Sequence, residues 1–246
     1  MRICVYVAGS IGGVLADAGH NVSLIARGPH LAALQAKGCT VETGGRTFTV
    51  HPQCSDDPAD FGPQDYVVVA VKAPAMPSVA DSIGPLLGPE TVVVPAMNGV
   101  PWWFFDGFPE DGPDIALPAL DPESALAGAI VTDRVIGCVV HMGSLVPEPG
   151  LRKLCADLFE EAAAAGRRIG LDPGMTADER TEMGASLGDF RTSMLQDFDK
   201  SRPPEIDAIV GAVVQIGRAT NTPMPVSEAV LALLVQKARG MGLYAA

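Results

Sequence analysis

The sequence predicts an α/β fold, with a parallel sheet in the amino-terminal half and an all-helical carboxyl-terminal half. Three observations predict it. The chain opens on Met1-Arg2-Ile3-Cys4-Val5-Tyr6-Val7-Ala8-Gly9-Ser10-Ile11-Gly12-Gly13, a short apolar run entering a glycine turn. Strand-like and helix-like segments alternate through Met97, which implies right-handed βαβ units. From Leu154 onward every periodic segment is helical.

Taken in order, Val14 to Ala18 reads as a very short helical piece closing at Gly19-His20. Only about seven residues separate Gly13 from the next strand, where a parallel crossover ordinarily needs a dozen or more. Asn21 to Gly28 is the second strand, and His30 to Lys37 is helical in period. Cys39 to Val50 alternates around Gly44-Gly45 and reads as a hairpin. Asp65 to Lys72 is a near-continuous apolar run, as in strands buried on both faces. A helix over Ala75 to Leu87 and a buried strand over Thr91 to Met97 follow. Ile136 to Met142 is a last strand, and Pro147-Glu148-Pro149-Gly150 breaks the chain. The remaining helices are expected over Leu154 to Arg168, Thr176 to Thr192 and on through Asp197, Glu205 to Thr220, and Val226 to Met241. The apolar part of the last, Val226 to Val235, reads as core in preference to the face of a homodimer. Two domains are expected, 1–150 and 151–246, with ligands in a crevice beyond the carboxyl ends of the strands.

Composition narrows the class. Of 246 residues 48% are hydrophobic and 19% charged, enough apolar material for a packed core and too little charge for disorder. No apolar run reaches the roughly 18 residues of a membrane helix, and no basic-then-apolar leader opens the chain. The five cysteines (Cys4, Cys39, Cys54, Cys138, Cys155) are scattered and without CxxC spacing. A disulfide framework and a metal site are therefore not expected, and a reducing cytoplasm fits. A net charge of −12 disfavours nucleic acid and anionic membranes as partners, leaving small molecules.

Backbone N–H groups of a glycine turn and the positive end of a helix dipole form a place for phosphate. The dinucleotide fingerprint is G-x-G-x-x-G. Here Val7 takes the first glycine position, while Gly9 and Gly12 remain, with Ser10 and Ile11 between them. Arg27 ends the second strand, where an acid would select NAD and a cation accommodates the 2′-phosphate of NADP. It reads as that cation in preference to a solvated surface arginine. Lys72 and Asn98 close the two apolar strands, at the mouth of a parallel sheet. The amide of Asn98 offers a donor and an acceptor together. The plainer readings are a lysine reaching to solvent and an Asn-Gly turn.

The pattern resembles the ketopantoate reductase family. The resemblance runs through Ala8-Gly9-Ser10-Ile11-Gly12-Gly13, Ser23-Leu24-Ile25-Ala26-Arg27-Gly28, Val71-Lys72 and Asn98-Gly99-Val100-Pro101-Trp102. It continues in Thr192-Ser193-Met194-Leu195-Gln196-Asp197 and Pro204-Glu205-Ile206-Asp207-Ala208-Ile209. It implies a Rossmann-like fold and reduction of 2-dehydropantoate to (R)-pantoate by NADPH, on the route to pantothenate. It also implies that Gly9, Ser10, Ile11, Gly12 and Arg27 hold the cofactor, with Lys72 and Asn98 near the nicotinamide. Asn98, Ser193 and Glu205 would face substrate, with Glu205 and Lys72 catalytic. Arg191 and Asp197 read as surface or interdomain residues.

One departure is an absence. The family carries a general-acid lysine in a Trp-x-Lys-Leu segment opening its second domain. Here Glu148-Pro149-Gly150 runs straight into Leu151-Arg152-Lys153-Leu154-Cys155, so tens of residues of the pattern are missing, either deleted or not represented in this chain. Lys153 reads as the start of the next helix rather than a remnant of that motif. Three functions stay open at this point: a 2-dehydropantoate reductase, a relative reducing another small 2-oxo acid, and a non-catalytic NADP-binding protein.

Overall fold

In the computed structural model, the structure describes residues 1–6, 9–43, 45–108, 112–113, 115–121, 123–138, 149–185 and 191–244. Val7, in the first glycine position, lies outside them.

The first strand, β1 (Arg2–Tyr6), is buried from Ile3 onward, as expected of a central strand covered on both faces. Helix α1 (Gly9–Asp17) starts at the glycine turn itself, so the expected short piece over Val14 to Ala18 is corrected to nine residues. That recovered turn lets a brief crossover reach β2 (Asn21–Ile25), which pairs with β1 in parallel from Arg2↔Asn21 to Tyr6↔Ile25. The strand stops before Arg27, which becomes the N-cap of α2 (Gly28–Lys37), with Pro29 in its first turn. The hairpin is present as β3 (Cys39–Thr43) and β4 (Arg46–Val50), an antiparallel pair separate from the main sheet.

The main sheet is completed by β5 (Gln53–Ser55), β6 (Gln64–Val69) and β7 (Leu87–Pro95), in the order β5-β2-β1-β6-β7 with every pairing parallel. Two boundaries differ from the sequence reading. β6 ends at Val69, so Lys72 does not close the strand but precedes a 3-10 turn over Ala73–Ala75. The helix expected over Ala75 to Leu87 is only α3 (Met76–Ala80), followed by a second 3-10 turn at Gly84–Leu86. Pro77 is tolerated in a first turn, but Gly84-Pro85 cannot continue a helix. Beside β7, parallel bridges join Val93 to Val135 and Ala96 to Cys138, and Arg134 Nη1 donates to the Gly88 and Thr91 carbonyls at 3.2 and 3.0 Å. The rest of the expected strand Ile136 to Met142 lies outside the described residues.

Two compact units emerge. The first is Met1–Met97 with Glu123–Val140, including α4 (Ala125–Ala129); the second is Asn98–Pro122 with His141–Ala246. The described part of the second is helical apart from loops. Helix α5 (Pro149–Arg168) begins at Pro149, earlier than Leu154, because proline is well suited to a first helical position. α6 (Ala177–Ala185) opens with a reciprocal cap. Thr176 N–H donates to Glu179 at 2.7 Å and Glu179 N–H donates to Thr176 Oγ1 at 3.2 Å. α7 (Ser193–Asp199) is separate from α6; residues 186–190 lie outside the described part. After a loop, π-type turns over Asp207–Gly211 run into α8 (Ala212–Ala219), and α9 (Pro225–Gly240) ends the chain's regular structure. Within α9, Leu231, Leu234 and Val235 pack on Phe198 and Ile206, while Leu233 is exposed. No described helix is long and apolar enough to cross a membrane.

Glu161 on α5 holds the start of α9. Its carboxylate accepts from Val226 N–H (2.9 Å), Ser227 N–H (2.7 Å) and Ser227 Oγ (2.6 Å), satisfying donors a helix start leaves bare. Partial burial alone would raise its pKa, but the three hydrogen bonds together lower it. A lowered folded-state pKa contributes stability that is present above the unfolded value and lost as pH falls through the folded one. Glu161→Gln should therefore lower the melting temperature at pH 7, and the gap to wild type should close as pH is taken below about 4. Thermal melts across pH check this; a gap independent of pH contradicts it.

Candidate cofactor and substrate sites

The cofactor side is built by close packing under α1. A Cβ at Gly12 would collide with the Leu24 side chain, and one at Gly13 with Val41. Both positions are buried, so bare glycine lets α1 lie directly on β2 and β3 with its amino end at the carboxyl ends of the strands. Gly9, Ser10 and Ile11 form the first turn of α1, where backbone N–H groups lack partners within the helix. Ser10 is exposed and Gly9 partly so. From below, the Cys39 thiol donates to the Gly9 carbonyl at 3.0 Å. Burial raises the Cys39 pKa, so the group there is a neutral thiol.

A cavity of about 320 Å³ lies at the carboxyl ends of β1 and β2. Its walls are Ile25, Ala26, Val71, Ala75, Ser78 and Val79, with Tyr6 at its buried end and exposed Arg27 and His30 at its edge. The sequence reading placed Arg27 here and missed the other polar groups. Tyr6 was legible only as the one hydroxyl in an apolar strand, and His30 only as the third residue after Arg27. A second cavity of about 410 Å³, lined by Gly9, Ser10, His30, Lys37, Cys39 and Thr40 among others, meets the first at His30. These residues fit a dinucleotide: a helix start with glycine-permitted access, a cation at the end of β2, and an apolar slot of ligand-pocket size.

The residues expected to face substrate, Asn98, Ser193 and Glu205, all belong to the second unit. Gly99 adopts φ +93°, a conformation L side chains rarely take, and a Cβ there would lie 2.6 Å from the Ala208 carbonyl oxygen. Val100 N–H donates to that same oxygen at 2.7 Å. The residues just after Asn98 thereby dock on Ala208, three positions along from Glu205, which is buried (8% exposed) and accepts from Ile209 N–H through its carbonyl. The π-type turns over Asp207–Gly211 widen the helix where Gly99 and Val100 dock. Ser193, half-buried, is the first residue of α7, whose N-cap Thr192 accepts from Leu195 N–H. The loop back from α7 turns at Ser201, with φ +50°, and reaches Glu205 through Pro203-Pro204.

The placements of Asp197 and Lys72 correct the sequence reading, while those of Arg191 and Lys153 agree with it. Asp197 is buried at 2% exposure, a core position on α7, whereas Arg191 is exposed and ion-paired with Asp199. Lys153 is exposed near the start of α5, the helix it was expected to open, with its ammonium 2.6 Å from Asp157, one helical turn on. Lys72, half-buried, caps a 3-10 turn between β6 and α3. Beyond Asn98 the chain adds Trp102 and Trp103, stacked edge to face at 4.3 Å, and the buried Trp102 indole N–H meets no acceptor among the described residues.

A parallel sheet with its glycine turn at residue 9, joined to a helical unit carrying buried polar groups, defines a two-part oxidoreductase scaffold. Comparison with known proteins gives the family. The model described as Ketopantoate reductase PanE/ApbA matches residues 6–105, and Ketopantoate reductase PanE/ApbA C terminal matches 134–238. A 2-dehydropantoate 2-reductase of Mesorhizobium japonicum is 30% identical across 99% of this chain and 100% of its own length. The chain belongs to the ketopantoate reductase family. A crystal structure from Ralstonia solanacearum assigned to the ketopantoate reductases superposes with a TM-score of 0.86 at 34% identity, covering 99% of both chains. A D-mandelate dehydrogenase solved with NADH and anilino(oxo)acetate shares the fold at 16% identity, with TM-score 0.74 over 99% of this chain and 100% of that one. The Mesorhizobium alignment spans 325 positions against the 246 residues of this chain.

Gly99→Ala should cost at least about 2 kcal/mol, since backbone strain and the contact with Ala208 act together. A melting temperature lowered by several degrees is expected. An unchanged melt contradicts the docking of Val100 on Ala208.

Proposed function

We propose that the chain reduces 2-dehydropantoate to (R)-pantoate with NADPH. The observation that carries this reading is Arg27, an exposed cation just past the end of β2, on the edge of a cavity that meets the one lined by Gly9 and Ser10 at His30, in a chain of this family. In this reading the N–H groups of Gly9, Ser10, Ile11 and Gly12 meet the pyrophosphate, and Arg27 meets the 2′-phosphate. Lys72 and Asn98 serve the nicotinamide end. NADPH, when bound, supplies the hydride. Negative charge then develops on the ketone oxygen, and a cation standing beside it lowers the barrier. Lys72 is that cation and its ammonium gives the proton that completes the alcohol, while Glu205, Ser193 and Asn98 hydrogen-bond the substrate. All five cysteines are free thiols, and a cytoplasmic enzyme fits this role.

A second reading within the family is a different small 2-oxo acid, one with an aromatic substituent. The Trp102–Trp103 pair close to Asn98 favours it, because aromatic faces select aromatic or bulky apolar groups. NADPH oxidation with 2-dehydropantoate, pyruvate, 2-oxoisovalerate and phenylglyoxylate separates the two. Highest kcat/KM for 2-dehydropantoate supports the first, highest for phenylglyoxylate the second. Binding of NADPH with no turnover of any leaves only a cofactor-binding protein.

Two substitutions test the roles. Arg27→Asp should weaken NADPH at least about tenfold more than NADH, since it sets a repelling charge against the extra phosphate; equal losses remove Arg27 from that phosphate. Glu205→Ala should lower kcat/KM about 10²-fold or more, with the dissociation constant for NADPH little changed. Loss of cofactor binding instead would make Glu205 structural.

A further inference from the structure

Tyr6 is the last described residue of β1 before the glycine turn and is only 3% exposed. Its hydroxyl is fully buried and has no hydrogen-bond partner among the described residues. The Tyr6 side chain nonetheless lines the 320 Å³ cavity that Arg27 and His30 edge. A desolvated donor without an acceptor is costly, and native proteins leave few of them. Ser82, which donates to the Ser78 carbonyl at 2.8 Å, is the polar side chain that acts on the phenol, but no hydrogen bond of ordinary geometry joins the two. Burial pushes the Tyr6 pKa up to about 12, so the group is a phenol that can donate. Around it Ile25, Val71 and Val79 present apolar walls, suited to the faces of a flat ring.

We infer that the Tyr6 hydroxyl is a base-reading donor, hydrogen-bonding a ring nitrogen of a purine held in this cavity, with Arg27 and His30 toward the phosphorylated ribose. A purine matches the chemistry: its ring nitrogens are acceptors without protons, and its faces are apolar. The inference rests on the dinucleotide reading given above and extends it to a residue at the other end of the ligand from the reacting carbons. It also gives a physical role to a tyrosine in a strand whose neighbours Val5, Val67 and Val69 are fully buried aliphatics.

The test is the Tyr6→Phe protein, which keeps the ring and removes only the hydroxyl. Three ligands are titrated by fluorescence or calorimetry: NADPH, adenosine 2′,5′-bisphosphate and reduced nicotinamide mononucleotide. Affinity for the first two should fall about 5–10-fold, the amount one net hydrogen bond contributes. Affinity for the mononucleotide, which lacks the purine, should not change. The unliganded variant should melt at or above the wild-type temperature, because an unpartnered buried hydroxyl has been removed. Should the variant not fold, wild-type protein titrated with 1-, 3- and 7-deaza analogues of the bisphosphate gives the same information: one of the three should lose the same factor. Unchanged affinity of Tyr6→Phe for NADPH, an equal loss for the mononucleotide, or no deaza analogue losing affinity overturns the inference. Wild-type protein that binds neither NADPH nor NADH overturns the dinucleotide reading itself, a result visible before any variant is made.

Discussion

The architecture of the first unit depends on two missing side chains. Gly12 and Gly13 are buried against Leu24 and Val41, and a Cβ there would displace those side chains or lift α1 from β2 and β3. Close seating of that helix sets where its first turn lies, and so where the N–H groups of Gly9, Ser10 and Ile11 point. The apolar strands below are fully buried: Val5, Val67, Val69 and Val93 have no exposure at all. Hydrophobic burial thus fixes the platform, and glycine fixes the distance between platform and helix. A polar cradle can be held rigidly only because nothing in it has to supply the stability.

The second unit applies the same device at longer range. Gly99 approaches the Ala208 carbonyl where side chains are excluded, and Val100 bonds to it. That single contact ties the segment after β7 to the turn beginning just after Glu205. It explains why Asn98–Pro122 belongs with the carboxyl-terminal helices rather than with the sheet it follows in sequence. The Phe104, Phe105 and Phe108 side chains then pack on Ala165, Ile169 and Ile216, which anchors the segment against α5 and α8.

Much of this was legible in sequence because the signals are local. The glycine turn, the buried strands and the Gly44-Gly45 hairpin each follow from residue pattern alone, and the parallel order follows from their alternation. Where the reading failed, competing local signals decided. Gly84-Pro85 cut α3 short, Pro149 opened α5 instead of ending the previous segment, and β6 stopped before Lys72. Long-range facts were out of reach. Nothing in the neighbours of Asp197 says that it is buried, and nothing near Gly99 and Val100 says that they dock on Ala208. Tyr6 shows the same limit, because only tertiary structure reveals a hydroxyl that ends at a cavity.

Family membership and fold agree on a scaffold whose amino-terminal part cradles a dinucleotide, and the free thiols, acidic surface and apolar core are all compatible with that use. The central claim is that the cradle is assembled from the first turn of α1, the end of β2 and the turn after β6. Hydrogen–deuterium exchange with and without NADPH tests it most directly. Slowed exchange confined to 9–13, 27–30 and 71–79 is the result this account predicts; slowing that spares these three segments, or no slowing at saturating NADPH, would contradict it.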